Sequence, residues 1–172
     1  MQKRGRKAPG TNVPKRSALS RVWQRRKGGF VVSTDKSRVD LNAVFGYLTE
    51  CYWAKGIPKK IVKQSIENSL CFGVYEGKRQ IGFARVISDY ATYGYIGDVF
   101  VLDEYRGQGL GKWLMRCIMA HPRLQGLRRW GLVTRDAHGL YAQHGFTQLK
   151  SPEIHMEVFN PAIYSRFLKA AR

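Results

Sequence analysis

The sequence predicts a single α/β (α+β) domain in which a mixed, mostly antiparallel sheet is flanked by helices. Its 172 residues, of which 44% are hydrophobic, can form one domain with a sizeable core and are too few for two ordinary domains. The apolar spacing changes along the chain between helical and extended periods, and no internal repeat follows residue 30. This mixed order of elements is typical of helices packed on the faces of one sheet.

The N-terminal segment differs in composition from the rest of the chain. Residues 1–29 contain ten Lys or Arg and no acid, so they contribute +10 of the net charge of +18. Because they lack a periodic apolar pattern, we predict a basic disordered tail over residues 1–29 and a folded domain over residues 30–172. Such a tail is either a solvated extension or an arm that binds nucleic acid through salt-sensitive phosphate contacts.

The first predicted elements of the domain are a short strand and two helices. Phe30–Ser33 is an apolar run that suits a strand. Asp40 can cap a helix that Gly56 ends, and Pro58 suits the first turn of a second helix. The apolar residues of the first helix keep a three-and-four spacing; they are Leu41, Val44, Phe45, Leu48, Cys51 and Tyr52.

Three extended segments come next and lead into a glycine-rich loop. They are Leu70–Tyr75, Gln80–Ser88 and Tyr93–Leu102. A hairpin turn built on Gly77 joins the first two. Gly94 and Gly97 lie inside the third, where they indicate either a bulge or a close approach of backbone.

After the loop, the pattern alternates again between helix and strand. A helix that Pro122 stops is predicted to bury Leu110, Trp113, Leu114, Cys117 and Ile118. Arg129–Thr134 is predicted as a strand, followed by a short helix over Asp136–His144 with Asp136 as its cap and Gly145 as its terminator. The last strand candidates are Phe146–Leu149 and Ile154–Phe159.

The glycine-rich loop has the chemistry of an anion site. Gly107, Gly109 and Gly111 stand at alternate positions between an apolar strand and an amphipathic helix. Glycine lets backbone N–H groups approach a ligand closely, and the start of the helix adds unpaired N–H groups and the positive end of its dipole. Arg106 and Lys112 flank the loop with positive charge. No Ser or Thr follows Lys112, so the loop is not the nucleotide P-loop that ends in Lys and Ser or Thr.

At this loop the chain resembles the GCN5-related N-acetyltransferase (GNAT) superfamily. The segment from Arg106 to Gly111 matches the signature Arg/Gln-x-x-Gly-x-Gly/Ala, and the segment from Tyr141 to Phe146 matches Tyr-x-x-x-Gly-Phe. The order of elements before and after the loop is also that of the family, over about residues 30–159. The resemblance implies an acetyl-CoA-dependent N-acetyltransferase that moves an acetyl group to a primary amine by direct attack in a ternary complex, with no metal. The acceptor is expected to be a small-molecule or peptide amine, and a small amine, an amino acid, a peptide terminus and a lysine side chain are all open.

The resemblance also implies roles for particular residues. Those of the loop are expected to hold the coenzyme A pyrophosphate; they are Arg106, Gly107, Gln108, Gly109, Leu110, Gly111 and Lys112. Those at the end of the preceding strand are expected to pair with the amides of the pantetheine arm; they are Val99, Phe100 and Val101. A backbone N–H there can polarise the thioester carbonyl. Tyr141 is expected to donate a proton to the departing thiolate.

The general base and the acceptor pocket are less sharply indicated. Asp98 is our first choice as base because it stands in an otherwise apolar strand just ahead of the acetyl position, although it could instead accept structural hydrogen bonds from loop N–H groups. The other candidates are Asp89, Asp136 and His138. Tyr52 and Trp53, beside the turn between the first two helices, could line the substrate pocket or the edge of the core.

Other features define the expected setting. No apolar run is long enough to span a bilayer and the basic N-terminus lacks the apolar stretch of a signal peptide, so we expect a cytoplasmic protein, as a monomer or a homodimer. The three cysteines share no metal-ligand spacing and are interpreted as reduced core residues. Two alternatives remain, namely a catalytically silent CoA-binding module and a nucleic-acid-associated protein that acts through its tail.

Overall fold

The sheet of this protein has six strands within residues 22–164, which are the residues that the computed structural model describes. The strands are β1 (Gln24–Lys27), β2 (Phe30–Ser33), β3 (Leu70–Glu76), β4 (Arg79–Ser88), β5 (Tyr93–Val101) and β6 (Arg129–Gly131). They follow one another across the sheet in chain order; the pairs from β1–β2 to β4–β5 are antiparallel, and β6 runs parallel to β5. The predicted mixed, mostly antiparallel sheet is therefore confirmed.

Four α-helices in the described residues cover the two faces of this sheet. They are α1 (Leu41–Glu50), α2 (Lys59–Glu67), α3 (Leu110–Met119) and α4 (His138–Ala142). On one face Leu114 of α3 packs in a core that includes Phe72 of β3. On the other face Leu48 of α1 and Val62 of α2 pack in a second core that includes Phe83 of β4. The predicted buried face of α3 is confirmed in full.

The folded part of the chain starts earlier than its composition suggested. The composition predicts that Gln24–Lys27 belongs to the disordered tail, but this segment forms β1 and pairs antiparallel with β2. A turn at Gly28, with φ of 55°, joins the two strands. All four residues of β1 are exposed, so this edge strand carries no apolar alternation that the sequence pattern could reveal. The rest of the predicted tail, residues 1–21, lies outside the described residues.

The first helix begins as predicted and ends early. The Asp40 carboxylate accepts the backbone N–H groups of Asn42 and Ala43, which confirms the cap. The helix ends at Glu50 rather than at Gly56. Gly56 has φ of 74°, and its N–H donates to the carbonyl of Thr49 at 2.9 Å, so the connecting turns fold back onto the helix end.

The C-terminal third contains less regular structure than predicted. The strand predicted over Arg129–Thr134 is limited to the three residues of β6, and neither Phe146–Leu149 nor Ile154–Phe159 is a strand. Asp136 does not cap α4; the hydroxyl of Thr134 instead accepts the N–H of Ala137 at 3.0 Å. Local apolar alternation favours a strand, but a strand also needs a partner in register.

Candidate functional site

The candidate site lies where β5 leaves the sheet. The pairing of β4 with β5 shifts between Phe83 and Arg85, so that Asp98 and Val99 together oppose Ala84. Asp98 has φ of 55°, a left-handed conformation that a non-glycine residue rarely adopts. This is a β-bulge, which bends a strand and leaves backbone groups unpaired. The two interpretations of the glycines in this strand are thus resolved, with the bulge next to Gly97.

The outer edge of β5 is open beside the bulge. β6 pairs only with the first three residues of β5, from Tyr93 to Tyr95. Within residues 22–164, no strand pairs with the outer edge from Ile96 to Val101. Side chains alternate here, so that Phe100 is buried with α1 and α2 while Val99 and Val101 pack against the other core. An extended ligand could therefore add to this edge through backbone hydrogen bonds.

The glycine loop is an open backbone surface at the start of α3. Gly107 and Gly109 have φ of 78° and 73°, so both adopt left-handed conformations that favour glycine. Gly109 is the N-cap of α3 and supplies no side-chain hydrogen bond, which leaves N–H groups of the first turn available for a ligand. Leu110 is buried and anchors the loop to the core, while Gln108 and Lys112 are exposed.

Arg106 is tied to its surroundings rather than free to approach the loop. Its guanidinium donates to the Tyr47 hydroxyl at 3.0 Å and to the Val101 carbonyl at 3.4 Å. It also forms an ion pair with Asp103 at 2.8 Å. The Tyr47 ring in turn stacks on Phe100 at 3.9 Å. These contacts connect the loop, α1 and the end of β5. The Asp103 carboxylate also compensates the positive charge of Arg106.

Asp98 forms an ion pair with Arg85, which sequence reasoning did not single out. Only 11% of the Asp98 side chain and 18% of the Arg85 side chain are exposed. The Arg85 guanidinium also donates to the Ser69 hydroxyl at 3.4 Å. The carboxylate is therefore partnered by a cation from β4 and not by the loop N–H groups considered as the alternative. The signal for this pair was present in the sequence, because Arg85 interrupts the apolar run of β4.

Tyr141 lies on α4 and is 8% exposed. Burial raises the pKa of its hydroxyl to about 12, with smaller contributions from Tyr52, Asp136 and Tyr95. The phenol is therefore neutral and carries its proton at physiological pH. Tyr52 and Tyr95 both lie close enough to Tyr141 to raise the pKa of its hydroxyl. The pKa of Tyr95 is itself raised, mainly by burial and to a smaller extent by Tyr93 and Asp98.

Tyr52 and Trp53 stand at the surface between α1 and α2. They are 44% and 41% exposed, and their rings meet edge to face at 5.0 Å. The Tyr52 hydroxyl accepts the backbone N–H of Arg135 at 3.2 Å, and the Arg135 guanidinium lies 3.7 Å from the centre of the Tyr52 ring. Tyr52 therefore joins the α1–α2 connection to the loop that precedes α4 and Tyr141.

The other candidate bases lie in different settings. The Asp89 carboxylate accepts N–H groups of the following turn and the Thr92 hydroxyl, and these hydrogen bonds hold its pKa well below the usual range. It precedes β5, so the first part of that strand, from Tyr93 to Gly97, separates it from the bulge. Asp136 forms an exposed ion pair with Arg135 at 3.5 Å, and His138 is the exposed first residue of α4.

The described residues also bear on metal, membrane and thiol chemistry. Between residues 22 and 164, no group of three or more His, Cys, Asp or Glu side chains is placed to hold a metal ion. No described helix is long and apolar enough to cross a membrane. All three cysteines are free thiols, and burial raises the pKa of Cys71 and of Cys117 to about 11, which keeps both protonated.

Known proteins resemble this chain over the region just described. The acetyltransferase (GNAT) domain family matches residues 67–148, which include the bulge, the glycine loop and α4. A protein of Gibberella zeae that is provisionally named an acetyltransferase is 30% identical over 145 residues, or 71% of this chain and 80% of that protein. An uncharacterized N-acetyltransferase of Gracilaria tenuistipitata var. liui is 39% identical over 75 residues, or 41% of each chain. A solved structure from Xanthomonas campestris pv. campestris, assigned to the GNAT family, is 53% identical with a TM-score of 0.77 and covers 79% of this chain and 96% of its own.

Proposed function

The chain belongs to the GNAT acetyltransferase family, and we propose that it transfers the acetyl group of acetyl-CoA to a primary amine by direct attack in a ternary complex. The observation that carries this proposal is the open edge of β5 at the Asp98 bulge, directly followed by the open glycine loop. An extended arm that ends in phosphates fits this succession of an unpaired strand edge and an anion site.

The donor would be held mainly by backbone groups. Within the loop from Arg106 to Lys112, the Arg106 N–H already donates to the Asp103 carbonyl at 3.1 Å, so the N–H groups that follow it bind the pyrophosphate, since Gly107 and Gly109 leave them uncovered. The outer edge from Val99 to Val101 pairs with the amides of the pantetheine arm. In this proposal an N–H of that edge polarises the thioester carbonyl as the amine attacks.

In the proposed reaction, two side chains of the protein donate and accept protons. The amine nitrogen forms a bond to the carbonyl carbon, and the bond between that carbon and sulfur breaks. Tyr141 donates its hydroxyl proton to the leaving thiolate and is reprotonated from solvent; its pKa of about 12 supports this role because the proton is present throughout the neutral range. Asp98, held in place by Arg85, receives the proton that the amine loses.

The acceptor would enter beside Tyr52 and Trp53. These exposed rings form an aromatic wall between the α1–α2 connection and the loop before α4. Because the chain is strongly basic even outside residues 1–29, we propose a small or neutral amine rather than a polycationic acceptor.

The proposal is tested by a screen of primary amines for release of coenzyme A thiol from acetyl-CoA. We expect amine-dependent release with at least one class of small amine. Tight binding of acetyl-CoA with no thiol release from any amine would instead identify a catalytically silent CoA-binding module.

A further inference from the structure

Lys27, an exposed lysine at the end of β1, lies beside the glycine loop. Trp23 and Lys27 are an even number of residues apart and therefore point to the same face of this part of the chain. At one end of that face, Trp23 packs against His121, which follows the end of α3, with ring centroids 5.3 Å apart. At the other end, Lys27 lies beside Gly109 at the start of α3. The segment from Trp23 to Lys27 therefore runs alongside α3, from the end of that helix to its start.

The ammonium of Lys27 is close to the loop and has no partner among the residues that the structure describes. Its Nζ lies 3.9 Å from the point where a Cβ would stand on Gly109, and apart from Gly109's chain neighbours no other heavy atom lies within 4 Å of that point. The side chain is exposed and makes no ion pair or hydrogen bond with any residue between 22 and 164. A free cation at this distance can reach an anion seated on the loop.

The contrast with Arg106 makes this position informative. Arg106 belongs to the loop signature, but its charge is shared with Asp103, and its donors also serve Tyr47 and Val101. Lys27 is some eighty residues away in sequence and forms no ion pair with an acid in the described part of the chain. Lys27 therefore brings to Gly109 a positive charge from β1, in addition to that of the exposed Lys112 within the first turn of α3.

We propose that Lys27 is a further phosphate-binding residue of the donor site. Its ammonium donates a charge-assisted hydrogen bond to a phosphate oxygen of acetyl-CoA seated on the glycine loop. The inference rests on the proposed function, because acetyl-CoA supplies the phosphates. The ligand has two sources of this chemistry, the pyrophosphate and the 3′-phosphate of its adenosine, and Lys27 serves one of them.

The test is calorimetric titration of the full chain with acetyl-CoA, in the unaltered protein and in Lys27→Met. We expect Lys27→Met to raise the Kd about fivefold to tenfold through loss of one charge-assisted contact. The matched control is Arg26→Met, which removes the same charge from the neighbouring position on the opposite face of β1 and should stay within about twofold of the unaltered chain. Lys27→Arg, which keeps the charge, should also stay within about twofold.

A second ligand, acetyl-3′-dephospho-CoA, identifies the phosphate. An equal loss with both ligands supports a contact with the pyrophosphate, and a loss seen only with acetyl-CoA supports a contact with the 3′-phosphate. If the unaltered chain binds acetyl-CoA and Lys27→Met binds it as well as Arg26→Met does, the inference about Lys27 is wrong while the proposed function stands. An equal loss in Lys27→Arg and Lys27→Met would also overturn the inference. If the unaltered chain binds no acetyl-CoA, both the inference and the proposed function are wrong.

Discussion

At the scale of single residues, the bulge and its ion pair are the feature on which the site depends. Asp98 holds an uncommon left-handed backbone, and Arg85 opposite it supplies the partner for its carboxylate. Backbone strain of this kind persists only where the surrounding contacts support it, and it gathers at functional sites. The pair therefore has a structural role in keeping the edge of β5 open, besides the role proposed for Asp98 in proton transfer.

Breaking this pair is expected to destabilise the fold. Because both side chains are less than a fifth exposed, Asp98→Asn leaves the Arg85 charge without its partner and should lower the free energy of unfolding by about 2 kcal/mol. Urea denaturation of Asp98→Asn, Arg85→Met and the double variant measures the coupling. We expect the double variant to lose less than the sum of the single losses, by about 1 kcal/mol or more. Strictly additive losses would contradict a direct interaction.

Tyr141→Phe separates a proton donor from a packing residue. It removes only the hydroxyl, so we expect kcat to fall about tenfold to a thousandfold while the KM for acetyl-CoA changes little. The rate of thiol release with a responsive amine measures the effect, and Tyr90→Phe, in the turn that precedes β5, is the control. Because the pKa of Tyr141 is about 12, no loss of activity due to its ionisation should appear below about pH 11. Unchanged kcat in Tyr141→Phe would rule out the assigned role.

His121 is expected to make stability depend on pH. It is 3% exposed, lies between the rings of Trp23 and Phe72, and has a pKa lowered to about 4 by burial and, to a smaller extent, by Arg123. The folded-state pKa lies below the ordinary value of 6.5, so its contribution is present in full above pH 6.5 and is lost as pH falls toward 4. The loss is about 3 kcal/mol.

His121→Asn is the variant that isolates this effect. The Asn side chain can still accept the N–H of Arg123, as the His121 ring does at 3.3 Å, but it does not titrate. Free energies of unfolding measured from pH 7 to pH 4 should therefore fall less steeply in His121→Asn than in the unaltered chain. Parallel curves for the two proteins would show that His121 is not buried in its neutral form.

At the scale of elements, the seam between β5 and β6 determines where the outer edge of β5 becomes free. Gly94 lies in this seam, where a Cβ would stand 2.9 Å from the ring of Trp130, so the close neighbour of this glycine is a side chain and not another backbone. Gly97 has more room, because its nearest neighbour would be Tyr95 at 3.6 Å. Because Gly94 has no side chain, Trp130 can pack directly against it while β6 pairs with β5. This pairing ends at Tyr95.

Gly94→Ala is expected to disturb this seam. The added methyl group would push against Trp130 and Leu127, which should lower the free energy of unfolding by about 2 kcal/mol. Gly46→Ala is the control, because Gly46 lies in α1 with nothing within 4 Å of its Cβ position and should gain about 0.5–1 kcal/mol. Equal effects of the two substitutions in thermal or urea unfolding would contradict the packing described for β6.

At the scale of the whole molecule, the sequence predicted the elements that have strong local signals. Asp40 signals a helix start through a side-chain cap, and the face of α3 that contains Leu114 repeats with helical period. The family resemblance further predicted the open edge near Val99 and the loop at Gly109 as cofactor contacts, which remain proposals. These features depend on residues within a few positions of one another, and that is why a single sequence reveals them.

The features that were missed depend on contacts between distant segments. β1 has no apolar alternation, and only pairing with β2 orders it. The partner of Asp98 comes from the opposite strand, and the neighbour of Gly109 comes from β1. The strand predicted over residues 154–159 has the right alternation, but it acquires no partner among the described residues. Register and long-range pairing, rather than propensity, decided each of these outcomes.

The boundary of the folded domain can be tested with two shortened versions of the chain. One begins at Val22 and the other at Phe30, so that only the second lacks β1 and Trp23. We expect the second to be less stable by about 3 kcal/mol, or roughly 6–12 °C in Tm, because it loses a strand ladder and the packing of Trp23 on Phe72. Equal Tm values would contradict a contribution of β1 and would indicate that the folded domain starts at residue 30.

The central claim is that this chain joins an acetyl group to an amine. The most direct test supplies acetyl-CoA with an isotopically labelled acetyl group, together with an amine that stimulates thiol release, and follows the label by mass spectrometry. We predict that the label appears in an amide of that amine, with one thiol freed for each acetyl group transferred. Label that remains on coenzyme A, or that appears only as free acetate, would contradict the claim.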